Sequence, residues 1–532
     1  MTYEYPSRRS VVMGFGGAVA TSQPLAAQAG LRTLMRGGNA VDAAVATAAA
    51  LNVVEPMSTG MGGDAFCLIY VAAEKKVYAL NASGRAPYAA TLDSYLARGL
   101  SEVPMRGMLP VTVPGAAAGW ADAVSRFGKL GLDQVLAPAI EYAEKGFPVS
   151  ERIGRGWKNS EAILRQNPEA ERTYLLGGAA PKPGQRFCSP DLAGSLRALA
   201  SDGPDAFYKG AIAEAIVRTS SKYGGLLTMQ DMADHTSSWV DPISTGYRGY
   251  RVYECPPNGQ GIAALIALNV LEGYDLAAMG YGTPDSMHVK MEAIKLALID
   301  AARYVADPEK ADVPVEGLLA ESYATERRGL IDPQQAIAGP VAGVPYSHDT
   351  VYLTAADGEG NAVSFINSLY MGFGSGVVAE GTGVCLQNRG ALFVLDADHP
   401  NCIAPHKRPY HTIIPCMVTK DDALAICYGV MGGYMQPQGH VQVLTNIVDH
   451  GMDSQRALDA PRFSYAYPGC ETVNVEPGLP DATYANLRRR GHRLEVTQGG
   501  NYGGGQVIIV DPESGALKAG SEPRNDGSAV AF

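Results

Sequence analysis

The sequence predicts a mixed α/β (α+β) protein, helix-rich up to about residue 320 and strand-rich after Ser347. Three observations carry this reading. Capped segments rich in alanine and leucine recur through the first half. An unbroken apolar run at 65–71 reads as a buried strand. Two alternating segments, 350–355 and 362–367, flank the turn Asp357-Gly358-Glu359-Gly360-Asn361 and read as a hairpin.

Taken in order, residues 23–34 form a helix with a Ser/Pro start that ends at Gly37-Gly38, and Asn39 caps an alanine-rich helix to about Val53. Glu55-Pro56 stops it. A glycine-dense loop, Ser58-Thr59-Gly60-Met61-Gly62-Gly63-Asp64, leads into the 65–71 strand, and a second strand at 77–80 leads into Asn81-Ala82-Ser83-Gly84-Arg85-Ala86-Pro87. Residues 110–320 read as mainly helical, with helices at 116–126, 261–271 and 286–305 and a polar irregular stretch at 177–190. Further strands are expected at 413–418, 423–428 and 506–510. No repeat and no Gly/Ser linker divides the chain.

The 532 residues include 43 Lys+Arg against 54 Asp+Glu, a net charge of −11. Hydrophobic residues make up 46% and charged residues 18%, which supports a large core and excludes global disorder. An acidic balance offers no basic face to displace counterions, so neither nucleic acid nor anionic lipid is an expected partner. The longest apolar run, 41–54, carries Asp42, Thr47 and Asn52 and is too polar to span a bilayer. Residues 11–17 are short and broken by glycines, a poor secretory core, and Arg8-Arg9 reads as a solvated arm. The eight cysteines form no Cys-x-x-Cys pair and read as buried thiols. The expectation is a cytoplasmic protein with no metal or organic cofactor.

Phosphate loops are absent: no Gly-x-x-x-x-Gly-Lys-Ser/Thr occurs, and Gly14-Phe15-Gly16-Gly17 and Gly372-Phe373-Gly374-Ser375-Gly376 read as turns. His399, His406 and His411 lie in a Pro-rich loop without a matching acidic pattern and read as surface or hydrogen-bonding histidines. No Gly-x-Ser-x-Gly elbow is present. The segment Ser347-His348-Asp349-Thr350 is different, because it sits at the mouth of a hairpin. A threonine that starts a strand becomes a nucleophile if the chain is cut before it. Its freed α-amino group, of reference pKa near 8, then reaches the hydroxyl and serves as base. Spacing alone favours an ordinary edge-strand threonine.

The block His348-Asp349-Thr350-Val351-Tyr352, with Asp357-Gly358-Glu359-Gly360-Asn361-Ala362-Val363 and Phe373-Gly374-Ser375-Gly376, resembles the self-cleavage site and hairpin of the γ-glutamyltranspeptidase family. Matching blocks run through nearly the whole chain in the family's order. They include Gly37-Gly38-Asn39-Ala40-Val41-Asp42, Gly60-Met61-Gly62-Gly63-Asp64, Val113-Pro114-Gly115, Lys407-Arg408-Pro409, Gly432-Gly433 and Ala460-Pro461-Arg462-Phe463. The resemblance implies a four-layer αββα N-terminal-nucleophile hydrolase, split autocatalytically between Asp349 and Thr350. It makes Thr350 the nucleophile, Ser368 its supporting hydroxyl, and the N–H groups of Gly432 and Gly433 the oxyanion hole, where each donor is worth about 3 kcal/mol.

The expected substrate pocket departs from the family pattern. Glutathione-type members hold the glutamyl α-amino group with an aspartate in an Asn-Asn-x-x-Asp-like run. Here Leu386-Gln387-Asn388-Arg389-Gly390-Ala391-Leu392-Phe393 puts Leu392 in that place, and Arg389 adds a charge that repels an ammonium. Where those members have a carboxylate-binding arginine this chain has Ser83, with Arg85 two residues later. The Ser-Ser pair becomes His411-Thr412, and the hairpin asparagine becomes Tyr370. Carboxylate binding through Arg389 or Arg85 is kept and zwitterion recognition is lost, a pattern similar to the oxamate-amidohydrolase and cephalosporin-acylase-like branch. A structural salt bridge stays open for Arg389. Substrate orientation and backbone satisfaction both stay open for Gln436, Gln438 and His440.

The expected protein is therefore an autoprocessed amidohydrolase acting on a small oxamate-like amide through a threonyl acyl-enzyme. Residues 1–349 and 350–532 form a noncovalent heterodimer within one compact unit, and a dimer of such heterodimers is left open. The alternatives are a γ-glutamyltranspeptidase or glutathione hydrolase and, from another class, an unprocessed ligand-binding protein.

Overall fold

The computed structural model describes residue 7 and residues 9–339, 350–498 and 500–532; the expected cleavage-site residue Asp349 lies outside them. Before position 339 the chain contributes strands β1 (Val12–Gly14), β2 (Gly17–Thr21), β3 (Asp64–Val71), β4 (Lys76–Ala82), β5 (Ser238–Val240), β6 (Ile243–Tyr247) and β7 (Tyr250–Glu254). From position 350 it contributes β8 (Val351–Asp357), β9 (Ala362–Ser368), β10 (Cys416–Lys420), β11 (Ala423–Met431), β12 (Gly504–Val510), β13 (Leu517–Ser521) and β14 (Ser528–Ala531). These build two seven-stranded sheets, of order β1-β13-β12-β11-β10-β7-β6 and β14-β2-β8-β9-β3-β4-β5. Every pairing in both is antiparallel.

The core falls into layers. One apolar cluster joins Phe66, Leu68, Tyr352 and Ile366 of the second sheet to Met417, Cys427 and Ile508 of the first, so the sheets pack face to face. A larger cluster covers the other face of the second sheet with helices α1 (Pro24–Met35), α2 (Ala40–Val54), α3 (Ala116–Phe127) and α4 (Leu132–Lys145). A third covers the other face of the first sheet with α5 (Gly261–Leu271), α6 (Pro284–Tyr304) and α7 (Met435–Val448). Helix α2 is buried along its whole length, and its capping box is complete: Asn39 accepts from Val41 and Asp42 N–H while Asp42 accepts from the Asn39 N–H. No helix among the described residues is long and apolar enough to cross a membrane.

The facing sheets come into close contact where β8 crosses β11. A Cβ on Gly429 would lie 2.5 Å from Cε2 of the Tyr352 ring, so only glycine admits the ring there. The Tyr352 hydroxyl lies 2.6 Å from Ser364 Oγ, which also accepts the Cys416 N–H of the opposite sheet at 3.0 Å. These bonds tie the two sheets together near the ends where β8 begins and β11 finishes.

The structure corrects three expectations. The mainly helical 110–320 region contains β5, β6 and β7; β6 and β7 are joined by Arg248 and Gly249, both at positive φ, a tight hairpin whose Arg-Gly turn carries no Asn-Gly signal. The strand expected from 413 begins at Cys416, because the His411 and Ile414 amides are taken by Asn258 O and Gln436 Oε1 instead of a ladder. All eight cysteines are free thiols, but five and not eight are buried, Cys188 being exposed and Cys402 and Cys470 half-buried. Arg9 of the expected solvated arm is exposed, and its guanidinium bonds the carbonyls of Ser521, Glu522 and Gly527.

Gly429→Ala is expected to cost about 1–3 kcal/mol of stability, read as a lower thermal midpoint. An unchanged midpoint would mean the Tyr352 ring yields freely.

Candidate active site

Strand register places three polar side chains in a row. β8 and β9 pair Val351 with Asn367, so Thr350 stands opposite Ser368; β9 and β3 pair Ser368 with Asp64. Directly opposed residues of antiparallel strands share a face, and here it is the inter-sheet face, because Tyr352, Ile366 and Phe66, two residues along from each, belong to the inter-sheet core. Thr350 is 3% exposed and Ser368 and Asp64 fully buried. Thr350 Oγ1 lies 3.1 Å from Ser368 Oγ, which also accepts the Tyr370 N–H at 2.8 Å. Asp64 is set by the glycine loop before it: Gly63 O takes the N–H groups of Gly115 and Ala116 at 2.9 Å, and Gly62 O takes that of Gln387 at 3.0 Å.

Across the gap, residues 411–414 and the Gly432-Gly433 turn lie at the matching end of the first sheet. His411 is fully buried, with Nε2 3.1 Å from Asp64 Oδ2. The Ile413 N–H points at its Nδ1 at 3.4 Å, which makes Nδ1 the acceptor and puts the ring proton on Nε2, toward the carboxylate. Burial, reinforced by the Arg389 charge, holds the His411 pKa well below its ordinary value, so the ring is neutral. Burial pushes Asp64 up to about 7 against the pull of Arg389, the Gly84 and Gly115 amides and Arg408.

Gly432 and Gly433 have φ of +126° and +63°, a conformation that suits glycine. The Gly432 carbonyl accepts from Asn501 Nδ2 at 2.9 Å and Met435 N–H at 3.1 Å. Carbonyl and N–H of a trans peptide point opposite ways, so this fixes the direction of the Gly433 N–H. Gln260 then ties the turn to the loop, its Nε2 donating to Thr412 O at 2.7 Å and Gly433 O at 2.8 Å.

Arg389 opens a 3₁₀ turn (Arg389–Leu392) and is fully buried. Its guanidinium lies 4.5 Å over the Tyr370 ring, and Nη1 donates to Thr412 Oγ1 at 2.6 Å. Nε and Nη2 are buried without a hydrogen-bond partner among the described residues. Burial draws its pKa down to about 10, which leaves it charged at neutral pH. A desolvated cation with two unmet N–H edges is a receptor for a planar anion. The structure thus brings Thr350, Ser368, Tyr370, Arg389, His411 and Thr412 into one connected group.

Arg85 stands apart from that group: its Nη2 bonds both oxygens of Glu309 at 3.0 Å, and Arg408 shares the same carboxylate at 3.2 Å. Gln438 is also spent on the protein, on Tyr434 and Tyr465, while His440 bonds Glu254 through Nδ1 at 2.7 Å and leaves Nε2 buried without a hydrogen-bond partner among the described residues. Sequence reasoning missed Asp64 as a site residue, and it missed Gln260 and Asn258. Asp64 had a signal, a carboxylate directly after the glycine loop; Gln260 and Asn258, in a bare Asn-Gly-Gln-Gly turn, had none. Among the described residues two groups could hold a metal ion, Glu254 with Cys416 and His440, and His288 with Glu292 and His492. Both are buried and internally bonded, His288 to His492 at 2.8 Å and Glu292 to Lys295 at 2.7 Å.

A family model described as Gamma-glutamyltranspeptidase matches residues 26–532. The chain is 41% identical over 527 residues to the glutathione hydrolase-like YwrD proenzyme of Bacillus subtilis, covering 98% of this chain and 99% of that one. It is 36% identical over 533 residues to the oxamate amidohydrolase proenzyme of Klebsiella pneumoniae, covering 98% and 99%. Among solved structures it is similar to a cephalosporin acylase from Bacillus halodurans, with a TM-score of 0.94, 47% identity, and coverage of 100% and 98%.

Arg389→Met at pH 6, where Asp64 keeps its proton, is expected to hold or raise stability by about 1–3 kcal/mol, since the variant removes a desolvated cation. A fall in the thermal midpoint would assign Arg389 a structural role instead.

Proposed function

The chain belongs to the gamma-glutamyltranspeptidase family of N-terminal-nucleophile hydrolases and transferases, and on that premise we propose that it cuts itself before Thr350 and then hydrolyses the amide bond of a small, carboxylate-bearing, oxamate-like substrate. The observation that carries this reading is the connected run from Thr350 through Ser368 and Tyr370 to Arg389, a nucleophile candidate linked to a buried, half-satisfied guanidinium.

In this reading Arg389 takes the substrate carboxylate and aims the adjacent amide carbonyl at Thr350 Oγ1. The Thr350 α-amine, free after the cut, accepts the hydroxyl proton as Oγ1 attacks the carbonyl carbon. Ser368 Oγ, which accepts from Tyr370 N–H, keeps its own proton for Thr350 Oγ1. The Gly432 and Gly433 N–H groups receive the oxyanion. Collapse expels the amine, which takes the proton from the α-ammonium, and leaves a threonyl ester. Water attacks the ester with the Thr350 α-amine again as base, and the resulting α-ammonium returns the proton to Thr350 Oγ1 as the acid leaves. Residues 1–349 and 350–532 stay together as a heterodimer, within a four-layer arrangement of two sheets between two helical layers. Leu392, which offers no carboxylate for an α-ammonium, supports an oxamate-like substrate over a γ-glutamyl one.

Intact-mass spectrometry is expected to give two fragments, the smaller beginning Thr350-Val351-Tyr352, and Thr350→Ala a single inactive 532-residue chain; cleavage of that variant at the same bond would remove Thr350 from its role. Oxamate and related monoamides are expected to turn over and γ-glutamyl-p-nitroanilide to resist. Brisk glycylglycine-stimulated release of p-nitroaniline would replace this reading with transpeptidation.

A further inference from the structure

Asp64 is a buried acid that the mechanism above leaves unused. Its carboxylate accepts the Gly84 N–H at 2.8 Å and faces His411 Nε2 at 3.1 Å, one strand from Ser368. The charged and titratable groups around it come from separate elements: Arg389 from the 3₁₀ turn, His411 and Arg408 from the loop before β10, and Tyr208 from the helix Pro204–Tyr208. They are not equivalent. Arg408 is already engaged by Glu309, and its N–H by Asp307. Tyr208 donates to Pro114 O at 2.7 Å, and His411 is neutral. Arg389 has no carboxylate in salt-bridge contact among the described residues, and Asp64 is the charge that bears most on it.

We propose that the Asp64–His411 pair is the counter-ion of Arg389 in the empty site, and that it takes up one proton from solvent when a substrate carboxylate docks on Arg389. The inference rests on the Arg389 site proposed above. Two anions beside one cation in a dry pocket leave an uncompensated charge, and the cheapest relief is protonation of the anion that belongs to the protein. Burial already holds Asp64 at about 7, so one added anion keeps the proton bound through neutral pH. The uptake belongs to the pair and not to either residue alone. It also sets specificity. Once the pair is neutral the pocket offers no anion to an α-ammonium, so Asp64 does not substitute for the aspartate that Leu392 displaces. Because the bound state holds the extra proton, affinity for carboxylates is full below the free pair's pKa and falls as pH rises above it.

The test is calorimetric titration of the purified processed protein with oxalate, glutarate and L-glutamate, in HEPES and in Tris, from pH 6 to 8.5. Expected are uptake approaching one proton per oxalate or glutarate bound at pH 8, a roughly tenfold rise in Kd from pH 7.5 to 8.5, and no preference for L-glutamate over glutarate. Asp64→Asn should abolish the uptake and flatten the pH dependence, while the uptake itself is read on the unaltered protein. Carboxylate binding that Arg389→Met abolishes but that takes up no proton would overturn the proposal and leave the Arg389 site standing. Tighter binding of L-glutamate than glutarate without uptake would overturn it by making Asp64 an ammonium site. Absent carboxylate binding, or binding indifferent to Arg389→Met, would remove the Arg389 site and this inference together.

Discussion

The architecture of the site depends on one close approach, the Tyr352 ring lying against Gly429. Facing sheets ordinarily stand about 10 Å apart, too far for a side chain on one to share a small pocket with backbone on the other. Here an aromatic ring two residues beyond Thr350 fills the gap where the opposing strand has no side chain, and Ser364 links that ring's hydroxyl to the neighbouring strand. The start of β8 and the end of β11 are thereby pinned at one rim of the inter-sheet layer, with Thr350 on one strand and Gly432 just past the other. The position of the Thr350 hydroxyl relative to the glycine turn follows from core packing, not from a flexible loop.

The same rim holds an unusual concentration of buried polarity. Asp64, Ser368, Arg389, His411 and Thr412 are all fully buried, and most of their hydrogen-bonding capacity is met by Gly84, Tyr370, Ile413 and Gln260 or by one another. The exceptions are Nε and Nη2 of Arg389. Among these five residues only the guanidinium edge is left open, the pattern of a group whose partner arrives from outside.

Much of this was legible in the sequence. Helix α5 runs over the residues expected, α2 starts after the expected Asn39 cap, and the β8–β9 hairpin closes around the expected turn, because caps, glycine turns and period-two alternation act locally. The candidate nucleophile and Arg389 were legible through family resemblance. What was hidden depends on long-range pairing. Nothing local marks Asp64 as the partner of a histidine 347 positions away, or Gln260 as the brace between two turns. The β6–β7 hairpin escaped because its turn uses arginine at positive φ. Arg85 and Arg389 look alike in sequence and part only in the fold, where Glu309 reaches one and not the other.

Strands from the two sides of position 350 pair with one another within both sheets. β2 lies between β14 and β8, β3 borders β9, and β1 caps the far edge of the first sheet through β13. Phe532 closes the weave, its carbonyl accepting the Gly16 N–H at 2.7 Å. Once such a chain is nicked before Thr350, neither piece can leave without breaking ladders in both sheets, so dissociation and unfolding become the same event. Refolding, in contrast, changes molecularity: two fragments must find each other, and the loop-closure entropy that the intact chain kept small is replaced by the cost of an encounter. A chain cut there would therefore persist through a slow rate of escape and not through an equilibrium it can revisit, and the cut would act as a one-way ratchet from a foldable precursor to a durable product.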